Sequence, residues 1–594
     1  MCRIAGLIDE DSSQPEIEAA VLRMCAVMRE GGPDGEGLYS YPENHLCFGH
    51  RRLAVIDLSD AGRQPMAAQE DDYVISYNGE LYNFQELRNE LKSLGTSFVS
   101  ASDTEVVLEA YIRWGTAAFR KFSGMFAFAI WDKTKGEVIL ARDASGIKPV
   151  YYSDQGNLFA FASSVKALKQ VKKLDREETQ WPAYFLAYGH LPEPLTTLHG
   201  VKPLPAGTYL AYNVRSRKIK SERFREFYFS ESRQNPGLIR EKIKSSLKEA
   251  VKNQLIADVP AGVFLSGGLD SSVIALLAKQ FTGLLQTNSI TFHDSMYSEQ
   301  YFQDILIGKL KTNHFRHEIT SDEFHDTLPD IVGSMDLPCC DGINTWFISK
   351  YARQSGLKVV LSGLGGDELF GGYPSFNRMQ YALALQRTPD ALLRLARHAG
   401  KKIWRRACYL TIPGAIGVYL FLRGQLTPQE IARELGMDEE QVWKLLRQQP
   451  IVPQIGHLSY GNQASWLEMN LYMRNQLLRD ADVMGMAHGL EIRVPFLDES
   501  VVELALSIAS SQKYGGRYPK RLLIDSFRSE LPQAIWKRPK MGFTFPFREW
   551  LSDSRYSGNS GSSQIGKAHR KLQSGEMHWS QFYSLWLLKA YAKI

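Results

Sequence analysis

Apolar and polar positions alternate in short runs from the N-terminus to about residue 210. HLCFGHRRLAVIDL, YVISYNGELYN, MFAFAIWD and EVILARD place β-branched and aromatic residues at a period near two, with Gly, Asp and Asn between the runs. Short alternating segments bounded by turn residues predict strands, and their number predicts a layered, antiparallel-rich sheet domain. Helical spacing is sparse there; QELRNELKSLG is one instance, ending at a glycine stop.

Near Glu241 the texture changes. EKIKSSLKEAVKNQLI has the spacing of an amphipathic helix, VPAGVFL and LKVVLSG read as buried strands, and SSVIALLAKQF between them reads as a helix. Strands alternating with helices predict a parallel α/β sheet. From Arg378 to about Gln476 the pattern is mostly helical, and LTPQEIARELG carries both a start and a stop signal. Two domains are therefore expected, over residues 2–211 and 236–594, with a helical segment at about 378–476 inside the second. The Ser/Gly-rich SRYSGNSGSSQIG (554–566) is expected to be a flexible loop.

Composition adds limits rather than detail. A chain of 594 residues exceeds what one core fills, and 44% hydrophobic with 23% charged residues is ordinary for a soluble globular protein. Net charge is +5 on 70 basic and 65 acidic side chains, too even a balance to point to a nucleic-acid partner. The most basic stretch, RLARHAGKKIWRR (394–406), reads first as a solvated helix face and second as a contact for an anionic partner or membrane surface. The 6 cysteines show no C-x-x-C zinc spacing and are too few for a disulfide framework, so a reducing cytoplasm is the expected compartment. No charged-then-apolar leader opens the chain. The longest apolar candidate, AIGVYLFL (415–422), falls well short of the ~18–20 residues that span a bilayer.

Two places carry chemistry. In VFLSGGLDSSVIALLA (263–278) a buried strand ends at Ser266, two glycines turn the chain, and a helix begins near Ser271. Free N–H groups at that helix start suit a phosphate, and Gly267 and Gly268 allow close backbone approach. Ser266, Ser271 and Ser272 add hydroxyls, and Asp270 suits a magnesium ion that bridges phosphates. A strand–turn–helix with a capping serine is the plainer reading, and the full S-G-G-L-D-S-S string is too specific for it. GSSQIGKA (561–568) nearly matches another phosphate loop, G-x-x-x-x-G-K-[ST], but Ala568 offers no hydroxyl and a polar run, not a strand, precedes it. The second place is MCRIAGLI at the start. With Met1 removed, Cys2 would hold a thiol nucleophile and an α-amine base on one residue.

The S-G-G-L-D-S-S string resembles the pyrophosphate-binding loop of N-type ATP pyrophosphatases, and LSGLGGDELFGGY (361–373) resembles the second nucleotide loop of the asparagine synthetase family. The resemblance implies that Ser362 and Gly363 contact the nucleotide, that Leu265 and Ile290 flank the adenine, and that Asp367 joins Asp270 at magnesium. In order, Cys2, GPDGEG (32–37), GHRRL (49–53), YNGELYN (77–83) and SDTE (102–105) resemble the glutaminase domain of N-terminal-nucleophile amidotransferases. That likeness makes Cys2 the nucleophile, with the Asn78 side chain and Gly79 N–H holding the oxyanion. It gives Arg52 to the α-carboxylate of glutamine, and Glu80 and Asp103 to its α-ammonium. RPKMGFTFPF (538–547) resembles a late lysine loop and gives Lys540 the departing pyrophosphate. In NQLLRDADVMGMAHGLEIRVPFLD (475–498), Arg479, Asp480, Glu491 and Arg493 either orient site elements or pair with each other in the interior.

The implied whole is an α/β multidomain enzyme: an αββα glutaminase domain before a parallel-sheet ATP-pyrophosphatase domain with helical additions. Its implied substrates are glutamine, ATP with Mg2+, and a carboxylate acceptor; a homodimer is compatible with it. Aspartate is the first acceptor, a sugar uronate or a cell-wall diaminopimelate precursor the alternative, and a non-catalytic scaffold a remote third. Two positions depart from the family. Gly31 stands where it carries Arg, and Leu364 stands where well-studied members carry an acid. Leucine cannot accept a proton, so either Glu368 substitutes or the acceptor differs from aspartate.

Overall fold

The computed structural model describes residues 2–294, 296–395, 402–448, 450–516, 518–538, 545–557 and 564–591. The front of the chain supplies β1 (Arg3–Asp9), β2 (Gly35–Tyr41), β3 (Leu46–Arg52), β4 (Met66–Ala68), β5 (Tyr73–Leu81), β6 (Gly124–Asp132), β7 (Glu137–Arg142), β8 (Tyr151–Gln155), β9 (Leu158–Ala162), β10 (Val201–Pro203), β11 (Thr208–Asn213) and β12 (Ile219–Arg223). They form two 6-stranded sheets, ordered β10-β8-β9-β1-β3-β2 and β12-β11-β7-β6-β5-β4. Every pairing within them is antiparallel. β12 lies past residue 211 and is hydrogen-bonded to β11, so this sheet runs on to Arg223.

The alternation in β6 shows why the sheets stack. Phe126, Phe128 and Ile130 point one way and pack under the helices Phe84–Ser93 and Asp103–Trp114. Ala127, Ala129 and Trp131 point the other way and meet Ile4, Phe48 and Phe161 of the facing sheet. A period of two thus fills two separate cores from one strand. The helix Gln14–Val27 closes the far side with Ile17, Val21 and Met24 against Ala5, Leu7 and Cys47. The order helix, sheet, sheet, helix is the layered antiparallel domain expected from the sequence.

The rear of the chain holds β13 (Ala261–Phe264), β14 (Gln286–Thr291), β15 (Asn313–Glu318), β16 (Val359–Leu361) and β17 (Glu491–Arg493) in a 5-stranded sheet ordered β15-β14-β13-β16-β17. All its pairings are parallel. Sequence order reverses at β13, and in such sheets ligands bind at the carboxyl ends of the strands flanking that point. Those ends belong to β13 and β16, the strands that run into the two loops singled out above. Helices fill most of Pro374–Met486, including a π-helical stretch, Glu468–Leu477. Residues 564–566, expected in a loop, instead open the helix Gln564–Gln573, whose Ile565, Ala568 and Leu572 are buried. Among the described residues no helix is long and apolar enough to cross a membrane.

The halves meet through buried charge. Arg3 Nη1 lies 2.5 Å from Asp482 Oδ2, and Lys148 Nζ lies 3.7 Å from Asp482 Oδ1, with all three side chains almost fully enclosed. Asp482→Asn should cost about 3 kcal/mol, because removing one partner strands the others without solvent. A lowered denaturant midpoint would register it; an unchanged midpoint would mean that water reaches Arg3 and Lys148.

Candidate active sites

The first site forms where β1, β3 and β5 converge. Ser76 Oγ donates to Gly49 O of β3 at 3.1 Å, which fixes one face of β5 toward the other sheet. Asn78 and Glu80 follow at the same parity and share that face. Asn78 is fully buried, and neither its Nδ2 nor its Oδ1 has a hydrogen-bond partner among the described residues. Buried amides without partners are rare, and those that persist call for a ligand or another specific cause. Gly79 pairs with Phe126, and a Cβ there would sit 2.4 Å from Met125 O, so only glycine fits. The Cys2 thiol lies next to this face and donates to Leu53 O at 3.9 Å. Burial pushes it up to about 11, against the pull of Arg52, and the Glu80 carboxylate also acts on it.

Arg52 donates to Ser59 O at 2.9 Å and to Asp57 O, which holds its guanidinium in the loop after β3. Asp103 opens the helix Asp103–Trp114 and accepts from Tyr77 Oη at 3.0 Å and Leu81 N at 2.9 Å. Burial raises it to about 6. Glu80 is held well above the usual carboxylate range by burial and by Glu491, although Arg493 is near. The Gly31 departure has a local cause: a Cβ at 31 would lie 2.7 Å from Arg3 Nε, so the Arg3 side chain fills the space an arginine at 31 would need. The following turn is kept, with Asp34 Oδ2 accepting from Ala54 N at 2.9 Å and Lys358 Nζ at 2.8 Å.

The second site is a cavity of about 530 Å³ at the ends of β13 and β16. Leu265, Ser266, Gly268, Asp270, Ser271, Ile290, Ser362, Gly363 and Asp367 line it together. Its two loops interlock: a Cβ on Gly363 would lie 2.8 Å from Asp270 Cβ and 2.9 Å from Ser271 N. Gly267 and Ser272 are not on the wall. Gly267 turns toward Phe302, and Ser272 spends both its N–H and its hydroxyl on Gly268 O. Its N–H bond to Gly268 O is the helix's own i to i−4 bond, with the hydroxyl donating to the same carbonyl.

Lys540 lies outside the described residues. The cation that the fold brings to the two acids is Lys520, whose Nζ bonds both Asp270 and Asp367. Burial pushes Lys520 down, and the two carboxylates more than offset that and raise it above the usual lysine value. Its φ of 55° is a left-handed conformation that a side chain adopts only when its surroundings fix it. Arg538 also lines the cavity, paired with Glu299. Leu364 contributes an apolar wall, and Glu368 sits four residues on. Burial and Asp367 raise Glu368 to about 7, while Tyr373 Oη donates to it at 2.7 Å.

One residue touches both sites. Arg493 Nη2 lies 3.4 Å from Glu80 Oε1, and its carbonyl accepts from Ser362 N at 2.8 Å. Its Nε donates to Glu491 Oε1 at 2.6 Å, so buried pairing and orientation of site elements are both realised here.

A thiol placed near Glu80 and Arg52 in one half, joined to a strand–Gly-Gly–helix cavity in the other, fits a carbon–nitrogen ligase with its own amidotransferase half. Comparison with known proteins agrees. The family described as Asparagine synthase matches residues 242–560, and that described as Glutamine amidotransferase domain matches residues 1–225. The chain is 30% identical to Asparagine synthetase [glutamine-hydrolyzing] 1 of Bacillus subtilis, over 93% of this chain and 88% of the relative. It is 27% identical to Asparagine synthetase B [glutamine-hydrolyzing] of Escherichia coli, over 92% of this chain and 82% of the relative. The chain belongs to the asparagine synthase family.

Proposed function

We propose that the enzyme hydrolyses glutamine at Cys2 and uses the ammonia to amidate a carboxylate activated as an acyl-adenylate, with release of AMP and pyrophosphate. Burial holds the thiol above its ordinary value and disfavours a resting thiolate. The proton must leave as sulfur attacks, and the α-amine of Cys2, once Met1 is gone, is the base on the same residue. Asn78 and the Gly79 N–H receive the developing oxyanion, and one such donor is worth about 3–4 kcal/mol of barrier. Arg52, Glu80 and Asp103 select the amino-acid end of glutamine.

In the second chamber the acceptor carboxylate attacks the α-phosphorus of ATP, and the α–β phosphate bond breaks. Lys520 and Arg538, which line the same cavity as the Gly-Gly loop, would meet the negative charge that accumulates on the pyrophosphate. Asp270 and Asp367 fit magnesium: they approach one cation already, and two carboxylates plus phosphates and water make an ordinary donor set for it. Bound there, the ion would offset phosphate charge. Among the described residues no cluster of three or more His, Cys, Asp or Glu side chains could hold a metal, so the phosphates would complete the set. Ammonia then attacks the acyl carbon, AMP departs, and Glu368 accepts the surplus proton in the role that Leu364 cannot play.

The observation that supports this reading best is the meeting of Asp270, Asp367 and Lys520 beside the S-G-G-L-D-S-S loop. The test incubates the full chain with ATP, magnesium, glutamine and aspartate, the acceptor the relatives' names imply, and a panel of other acids. Acid-dependent AMP and pyrophosphate are expected; ADP and orthophosphate would overturn the reading.

Glu368 gives a pH signature. Its value of about 7, against 4.5 ordinarily, means that it becomes a base only above neutrality. Synthesis from ammonia, corrected for the free-base fraction, should rise with pH through about 7. Glu368→Gln should flatten that rise and lower the plateau ~10²–10⁴-fold, the usual weight of general base catalysis. A raised carboxyl favours the folded state most at low pH, so stability from this group is lost as pH climbs from 4.5 through about 7. An unchanged profile in the variant would remove Glu368 from proton transfer.

A further inference from the structure

Glu299 stands at the start of the helix Gln300–Leu310 and lines the nucleotide cavity. The helix does not explain its presence. Helix starts favour Ser, Thr, Asp or Asn, whose short side chains bond the free N–H groups. The Glu299 side chain makes no such bond, and Ser298 Oγ accepts from Gln300 N instead, at 3.4 Å. The carboxylate goes to Arg538, and the ion pair is enclosed, with Glu299 3% and Arg538 10% exposed at the side chain. Burial raises Glu299 above the usual carboxylate value, although Arg538 opposes the rise.

The pair is built into the Gly-Gly turn. Phe302, in the first turn of the same helix, packs on both. A Cβ on Gly267 would lie 3.0 Å from Phe302 Cβ, and the Arg538 guanidinium lies 4.1 Å from the Phe302 ring centre. A Cβ on Gly268 would lie 3.9 Å from Arg538 Nη2, the same nitrogen that donates to Glu299 Oε1. Arg538 Nη1 is sealed in, so Nη2 is the terminal nitrogen beside the turn. It carries two N–H bonds. One is spent on Glu299, and no described residue takes the second. A carboxylate at one edge and a ring under one face fix the plane of the guanidinium.

We infer that Glu299 is a positioning residue for pyrophosphate departure, holding Arg538 Nη2 over the Gly-Gly turn at the place of the leaving group. This rests on the amide-ligase reading above and adds a residue to its nucleotide site. When the α–β bond breaks, its electron pair stays on the oxygen that leaves with the pyrophosphate, and negative charge builds there. A donor already aimed at that charge needs no reorganisation as it forms, whereas a loose arginine must first lose its rotamer freedom. A carboxylate repels phosphate, so binding alone would not place one here. Orientation of Arg538 accounts for it.

The test follows AMP formation by the full-length enzyme with ATP, magnesium, ammonium and the panel of acids used above, and adds pyrophosphate as a product inhibitor. Glu299→Ala frees the guanidinium. It should lower kcat at least ~10-fold, within the ~10²-fold that a 1 Å misplacement of a positioned group can cost, raise the inhibition constant for pyrophosphate, and leave KM for ATP nearly unchanged. Glu299→Gln keeps an oxygen for Nη2 and removes a charge that repels phosphate. It should retain most of kcat and lower the inhibition constant, the opposite direction from Glu299→Ala. In an Arg538→Met background Glu299→Ala should have little further effect, and that double variant leaves neither buried charge without its partner. The Gln variant keeps Arg538 bonded, so it carries the test where Glu299→Ala fails to fold. A pyrophosphate constant that rises in Glu299→Gln, or an equal kcat loss from Glu299→Ala with Arg538 and with Met at 538, would overturn the positioning role and leave the amide ligase standing. No AMP or pyrophosphate from the parent enzyme with any acid would overturn the ligase reading and this inference with it.

Discussion

Cys2→Ala should lower glutamine-dependent synthesis at least ~10³-fold, the scale lost when a covalent nucleophile is removed, and should leave ammonia-dependent synthesis within about twofold of the parent. The separation of the sites makes the asymmetry sharp. Cys2 touches Leu53 in the front half, whereas the cavity at β13 and β16 is lined wholly from the rear half. The substitution is also mild for the fold. The thiol makes one long contact of 3.9 Å, and alanine leaves the strand pairing of β1 untouched. A parallel fall in both activities would sink the two-chamber reading. Mass spectrometry of the active enzyme supplies an independent check. Retained Met1 would place an amide, not an amine, on Cys2 and would leave the thiol without its base.

The front fold was legible because its cores are doubled. Strands such as β6 carry apolar residues on both parities, and turn residues bound them sharply. β12 was not legible: IKSER is nearly all exposed, and only its hydrogen bonds to β11 make it a strand. The phosphate loop could be read because its chemistry is local, confined to seven consecutive residues. Lys520 could not, because nothing in RYPKRLL marks it. Its meaning comes from Asp270 and Asp367, far away in sequence, whereas Lys540, which the sequence assigns to the departing pyrophosphate, lies outside the described residues. Gly31 read as the loss of a contact, while the structure shows Arg3 reaching into the same space from β1.

Arg493 gives the two chambers a physical connection that neither motif set implied. Its guanidinium meets Glu80, which is assigned to the glutamine ammonium, and its carbonyl fixes Ser362 at the head of the second nucleotide loop. Glu491 is held down to about 2, since cations that include Arg493 and Lys148 outweigh its burial. Glu80 is pushed the opposite way. A substrate ammonium arriving at Glu80 would favour its ionised form and strengthen its pull on Arg493.

Lys520→Met should lower pyrophosphate release by ~10³-fold or more with either nitrogen donor, since removing one preorganised charge typically costs 10²–10³ and this one faces two acids as well. Glutamine hydrolysis should stay within severalfold of the parent. Stability separates this role from a structural one. Lys520 is buried with Asp270 and Asp367, so its loss leaves two carboxylates facing each other and should cost about 3–5 kcal/mol. Adding Asp270→Asn to Lys520→Met removes one of those charges and should restore much of the stability. It should not restore pyrophosphate release, because the cation and one acid of the nucleotide site are both gone. If stability and synthesis recovered together in the double variant, Lys520 would be a counter-ion for the fold and nothing more. If stability returned while synthesis did not, the ammonium would be acting on the nucleotide.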